Sequence, residues 1–291
     1  MITTTYHTFF SYACACACLS LSLSLHGNSF NYSRLIPNFL KGTEPTITST
    51  PYKVPPTSSV EITSLKGNIT LIGWDKEELL LETTKQGSIE EQENTSSTVT
   101  PAQPSCCSES DEEENLPRTS IETNAIDDSK PYARVDYKLS LPTNMTVVAT
   151  TNEKGMITAT GLTGALTLSS AQEITLTTKH CTSLNAHANN GTISVTLDEL
   201  LPESSLMIET LYGSIELTLP SNANADISAH TQRGTITTEH VITLTPPSMK
   251  LNKQTWQNLM REIKGTVGTG GTPILIDVER GNITLKEKKN L

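Results

Sequence analysis

Apolar and polar residues alternate with period two along most of the chain. Ile193, Val195 and Leu197 alternate with Ser194 and Thr196, and Ile215, Leu217 and Leu219 alternate with Glu216 and Thr218. Successive side chains of an extended strand point to opposite faces, so the aliphatic set shares one face and the Thr/Ser/Glu set the other. The alternation starts at Val60 and runs almost without pause from Tyr132. It predicts an all-β protein of many short, half-buried strands.

The strands are punctuated by a repeated Gly-x-Ile or Gly-x-Leu. It occurs at Gly67, Gly87, Gly155, Gly164, Gly191, Gly213, Gly234 and Gly281, with intervals of 20 (67 to 87), 22 (191 to 213) and 21 (213 to 234). A constant period in this range marks an array in which each coil stacks on its neighbours. The leucine-rich-repeat pattern, which shares this length, is absent. A glycine before each strand fits a corner that needs positive φ or a close backbone approach. The expected architecture is a single-stranded parallel β-solenoid (β-helix) with coils of about 21 residues. In it Ile193, Ile215 and Ile236 form one column, and Val195, Leu217, Ile227, Ile276 and Ile283 are buried with them. The alternative is a sandwich of ordinary hairpins, whose turns more often carry Asn-Gly or Asp-Gly at uneven spacing.

Leu141-Pro142 and Leu219-Pro220 each close a strand, since proline ends ladder pairing. One segment has a helical period instead. Trp256, Leu259, Met260 and Ile263 fall on one face, with Gly265 as a C-cap, predicting a short amphipathic helix near 252–264.

Charge divides the chain into regions. The formal net charge of the 291 residues is -10. Between Ser88 and Lys130 eleven acids face only Arg118 and Lys130, so that stretch alone carries -9. It reads as a disordered acidic insertion at 88–130 within a folded domain at 56–291. Residues 28–55, rich in Pro, Ser and Thr, read as a linker. The remainder is nearly neutral, which argues against nucleic acid as a partner. The apolar, uncharged run Phe9–Leu25 makes residues 1–27 a signal-like leader, too short for a membrane span, with no Lys or Arg before Arg34. The alternative for it is a disordered start. Three of six cysteines lie in this leader, Cys106 and Cys107 are adjacent, and Cys181 stands alone, so neither a disulfide framework nor a metal site is expected.

Four stretches resemble the bacterial putative adhesin family, a β-solenoid domain of unknown function. They are Val60–Lys85 with its Gly-Trp-Asp, Val135–Ser170, Leu211–Ile236, and Gly268–Leu285 with its Gly-Gly, strand, Gly-x-Ile ending. The resemblance implies stacked coils and an exported or envelope association. It implies no active site.

Candidate chemistry is sparse. Gly265–Gly271 is glycine-rich but lacks the Walker Lys-Ser/Thr and leads into a strand, not into a helix that could hold an anion. His180, Cys181 and His187 lie close in sequence with no second cluster to complete a metal site. Paired carboxylates on adjacent coils would suit polysaccharide cleavage, but Asp198, Glu199, Glu209, Glu216 and Asp226 do not fall at matching coil positions. Six N-x-S/T sequons occur, several of them produced by the Gly-Asn-Ile-Thr pattern itself. No catalytic, cofactor-binding or metal-binding residues are assigned. The expected function is that of a non-enzymatic exported or envelope protein whose Thr/Ser-rich face contacts an unknown protein or glycan at the cell surface. Membrane association would run only through the leader. The alternatives are a carbohydrate-active β-helix enzyme and an intracellular interaction scaffold.

Overall fold

The computed structural model describes residues 45–55, 58–102, 117–244 and 261–289. The leader expected at 1–27 lies outside them. The described residues all belong to one unit built of strands that alternate between two large mixed sheets, and the sheets do not close on each other.

The strands before the central array are β1 (Thr46–Lys53), β2 (Ser59–Ser64), β3 (Ile69–Trp74) and β4 (Glu78–Gln86). A short helix α1 (Ile89–Glu93) follows, then β5 (Thr95–Thr100), β6 (Arg118–Ala125) and β7 (Arg134–Pro142). The array continues through β8 (Thr146–Thr151), β9 (Ile157–Thr160), β10 (Ala165–Ser170), β11 (Ile174–Thr178), β12 (Ser183–Asn190) and β13 (Ile193–Leu197). After these come β14 (Ser205–Tyr212), β15 (Ile215–Pro220), β16 (Ala225–Arg233), β17 (Ile236–Thr238) and β18 (Ile242–Leu244). The last three are β19 (Glu262–Val267), β20 (Thr272–Arg280) and β21 (Ile283–Lys288).

The first sheet has the order β1-β4-β7-β3-β9-β11-β13-β15-β21-β17, and the second β18-β19-β16-β20-β14-β12-β10-β8-β2-β6-β5. Eight successive rungs, each one strand of either sheet, are parallel: β6/β7, β2/β3, β8/β9, β10/β11, β12/β13, β14/β15, β20/β21 and β16/β17. Two features depart from an uninterrupted parallel solenoid. Antiparallel strands flank the parallel region, β4 and β1 beside β7, β5 beside β6, and β19 and β18 beside β16. Rung order in space also differs from chain order at both ends. β6/β7 lies outside β2/β3, and the final β20/β21 sits between β14/β15 and β16/β17.

In-register parallel pairing turns the sequence period into columns. Tyr137, Ile69, Ile157, Ile174, Ile193, Ile215, Ile283 and Ile236 follow one another across the first sheet. Ile193, Ile215 and Ile236 therefore share a column, with Ile283 interposed between the last two. All but Ile236 are buried, and each buried isoleucine contributes roughly 1.5–3 kcal/mol. Ile236 is half-buried because β17 is paired on one side only. Val195, Leu217, Ile227 and Ile276 are buried as expected.

At six of the eight corners from the second sheet to the first, those of Gly67, Gly155, Gly191, Gly213, Gly234 and Gly281, a glycine lies against the backbone of a neighbouring rung; the β6–β7 and β10–β11 corners have none. A Cβ on Gly213 would overlap the Gly191 carbonyl, and one on Gly281 the Gly213 carbonyl. Gly213 also has φ +155°, a conformation that L side chains rarely adopt. The residue after the glycine ties rungs together: Asn68 Oδ1 accepts from the Met156 N–H at 3.1 Å, and Asn282 Oδ1 from the Thr235 N–H at 3.0 Å. The asparagines of those two sequons thus serve the corner. Inward hydroxyls close the same corners, with Thr231 donating to the Gly281 carbonyl and Ser170 to that of Gly155. Two of the eight repeats do other work. Gly164 opens β10 at the opposite corner, and Gly87 precedes the capping box of α1, in which Ser88 and Glu91 satisfy each other's backbone N–H groups.

Three expectations are corrected. Within the insertion expected to be disordered at 88–130, the structure places α1, β5 and β6 at Ile89–Glu93, Thr95–Thr100 and Arg118–Ala125, while 103–116 lie outside the described residues. Thr119, Ile121 and Thr123 alternate inward while Glu122 points out, and Ile121 pairs with Ile62 in the core. The acidic composition concealed that alternation. Asn94 pins the segment, its Nδ2 donating to the Asp127, Lys130 and Pro131 carbonyls and its Oδ1 accepting from the Asp127 N–H. Second, part of the presumed linker at 28–55 is the edge strand β1, in which Thr46–Lys53 pairs antiparallel with β4. Third, residues 262–264 of the helix expected near 252–264 belong to strand β19, and Gly265 is a strand residue rather than a C-cap; 252–260 lie outside the described residues. Ile263, Gly265 and Val267 alternate with Glu262, Lys264 and Thr266, and β16 offers an open edge, so sheet pairing overrides the helical period.

Two stability outcomes follow from this packing. Gly213→Ala should cost about 3 kcal/mol or more in urea unfolding, since it adds a clash to backbone strain. Gly161→Ala should cost only about 1–2 kcal/mol, because at φ +68° its nearest non-neighbouring atom would lie 3.5 Å away. Equal losses would refute the stacking account. Ile121→Ala should cost about 2–5 kcal/mol if β6 is part of the core, whereas an unchanged urea midpoint would return the segment to disorder.

Candidate functional site

Parallel register copies outward positions from strand to strand just as it copies inward ones. On the first sheet this produces two rows of hydroxyls. One runs Thr70, Thr158, Thr175, Ser194, and the other Thr160, Thr177, Thr196, Thr218. Thr160 and Thr177 are exposed and the remaining hydroxyl residues are half-buried. Neighbouring strands lie about 4.8 Å apart and alternate residues about 6.6 Å apart, so the rows form a regular grid. Charged pairs bound it: Lys138 with Glu82 at 3.0 Å on one side, Lys286 with Glu216 at 2.9 Å on the other. This grid is the Thr/Ser-rich face expected from the alternation, and the β-branched threonines that build it are also good strand formers.

The acids singled out in the sequence are dispersed. Glu216 is the salt-bridged neighbour of the hydroxyl grid. Asp198 pairs with Lys288, and Glu199 with Lys179 at 3.2 Å, in the turn after β13. Asp226 accepts the Gly271 N–H at 3.1 Å, while Asn224 Oδ1 accepts the Thr269 N–H at 2.9 Å, so two amides of the Gly-rich stretch serve the β19–β20 turn. Glu209 lies on the outer face of the second sheet, 3.8 Å from His187.

The residue that sequence spacing missed is Asp277. It stands directly beside Glu209 in the β14–β20 ladder and 2.9 Å from His230. Its separation from Glu209 in the chain is not a multiple of the coil period, because β20 is inserted out of chain order. Only that topology brings the two carboxylates side by side. The row then reads His187, Glu209, Asp277, His230, Glu262 across five strands. Lys264, 2.7 Å from Glu262, holds that carboxyl below its usual range. A shallow groove of about 150 Å³ is lined by His187, Glu209, Thr210, Leu211, Gln232, Asp277 and Glu279.

His180, Cys181 and His187 do not converge. His180 lies 3.6 Å from Glu199, Cys181 is buried in the core, and His187 is on the outer face of the second sheet. Among the described residues no group of three or more His, Cys, Asp or Glu is placed to hold a metal ion. No helix among them is long and apolar enough to cross a membrane. Burial pushes the Cys181 thiol up to about 11. Tyr132 is pushed up to about 12 by the hydrogen bond it donates to Glu153.

No protein-family model and no curated protein matches the chain. Solved structures similar to it include a putative cell adhesion protein from Clostridium sporogenes, at 11% identity and TM-score 0.48, covering 84% of this chain and 100% of that one. Another is a putative adhesin from Bacteroides fragilis, at 11% identity and TM-score 0.40, covering 84% of this chain and 99% of that one.

Cys181 gives a test of core packing. Only the thiolate is nucleophilic, so iodoacetamide at pH 8 should leave the Cys181 peptide unmodified in the native chain and alkylate it after denaturation. The raised thiol also sets a sign for stability. Its contribution is full below the unfolded-state value near 8.5–9 and is lost as pH rises toward 11, because the unfolded chain gives up the proton first. Urea midpoints for wild type and Cys181→Ala should therefore converge between pH 9 and 11.

Proposed function

We propose that the chain is a non-enzymatic, exported surface protein that adheres through the hydroxyl grid of its first sheet to a glycan at the cell surface. The supporting observation is the in-register grid itself. Each added strand repeats the same hydroxyl positions, so weak hydrogen bonds to a repetitive ligand sum along the sheet. A polysaccharide offers such a repeat. The stacked parallel rungs support reading this array as a β-solenoid, whose repeated outer positions this mode of adhesion requires. The family resemblance and the signal-like run Phe9–Leu25 support the export part of it.

The test combines location and binding. Fractionation of the native host with N-terminal sequencing should recover a processed chain in the envelope or medium, and recovery in the cytosol with Met1 or Ile2 intact would defeat export. On a glycan array, a ligand bound by the wild type should be lost at least tenfold by the triple variant Thr160→Val, Thr177→Val, Thr196→Val. Those changes keep the strand-forming shape and remove only the hydroxyls. Turnover of a polysaccharide, abolished by Glu209→Gln, would replace adhesion by catalysis.

A further inference from the structure

The second sheet presents a face of different chemistry. Of the ten exposed large apolar side chains among the described residues, four gather at β14 and β20: Met207, Leu211, Tyr212 and Leu275. Met207 and Leu275 are direct cross-strand neighbours. Beside them the groove places three carboxylates, Glu209, Asp277 and Glu279. No Lys or Arg is ion-paired with any of the three among the described residues; the ion-pair neighbours of Glu209 and Asp277 are His187 and His230. Lys264, on the same face, is already matched by Glu262, and the Arg280 guanidinium lies over the Tyr212 ring, 5.3 Å from its centroid.

We infer that this face of the second sheet is a docking surface for a protein that presents lysine side chains among apolar ones. Exposed methionine and leucine around a small anionic groove match such a surface in both hydrophobicity and charge. The groove is lined by three carboxylates, Glu209, Asp277 and Glu279, which suit a protruding ammonium group. A saccharide platform would call for open aromatic faces, and the one aromatic residue of the patch, Tyr212, already carries Arg280. The site depends on the topology of the chain's last rung, since β20 supplies Leu275, Asp277 and Glu279. It is independent of the hydroxyl grid, which lies on the other sheet.

The experiment uses the full chain and fluorescently labelled peptides, read by anisotropy at two salt concentrations. A decapeptide of alternating leucine and lysine should bind at least tenfold more tightly than its leucine–glutamate counterpart, and more weakly at high salt. Glu209→Gln with Asp277→Asn should weaken it at least tenfold. So should Met207→Ser with Leu275→Ser, while Thr160→Val, Thr177→Val and Thr196→Val leave it unchanged. A charge-matched control, Glu90→Gln with Glu93→Gln, should change it less than twofold. Equal losses in the control and groove variants would mean attraction to overall negative charge and would overturn the proposal. So would preferential binding of chitosan oligosaccharide, lost in the groove variant, which would assign the face to a cationic glycan. Circular dichroism of each variant, matching wild type, keeps loss of binding separate from loss of fold.

Discussion

The spacing of stacked backbones at the corners governs the rest of the structure. Parallel strands pair about 4.8 Å apart, and to keep that spacing while turning between sheets the chain must bring one rung's backbone against the next. At six of the eight such corners the approach is so close that only a residue without a Cβ fits, as at Gly213 over Gly191 and Gly281 over Gly213. Once the corners stack, register is fixed, and a slip of one residue would send every isoleucine of the column to solvent. The isoleucine column, the corner hydroxyls and the outward rows all inherit their alignment from this contact.

Because alignment is shared, the two outer faces have distinct chemistry for a simple reason. The first sheet repeats Thr or Ser at the same two positions over several rungs and so acquires a hydroxyl grid. The second sheet brings together strands from distant parts of the sequence at its β14–β20–β16 end, and its row of His and acids is correspondingly mixed. A face built from consecutive rungs is repetitive; a face built across a topological exchange is particular. The two faces therefore differ in the chemistry they present to solvent.

Much of the architecture was legible in the sequence where local pattern and tertiary position agree. Gly191 and Gly213, with Ile193 and Ile215, disclosed the stacking period because those rungs are direct neighbours; Gly234 and Ile236 keep the same period although β20/β21 lies between them and Gly213. Legibility failed where pairing depends on an edge made elsewhere. The alternation of Thr119, Ile121 and Thr123 was hidden by the acidic composition around it, although Glu122 within the strand points outward, and nothing local announces that β6 will lie on β2. The residues around Ile263 satisfy both a helical and a strand period, and the open edge of β16 decides between them. The hydroxyl grid was readable for the same reason as the period. The Glu209–Asp277 pair was not, since it exists only once β20 is inserted beside β14.

The exchange of rungs at the C-terminal end bears on how the molecule carries load. Strand β21 is held between β15 and β17, with its ladder to β15 extending from Ile215–Ile283 to Pro220–Lys288. Tension applied along the chain at Lys289 runs parallel to those ladders, so their hydrogen bonds are strained together instead of being opened one by one from a free edge. The exchanged rung thus behaves as a mechanical lock, resisting traction by shear where a simple end rung would unzip.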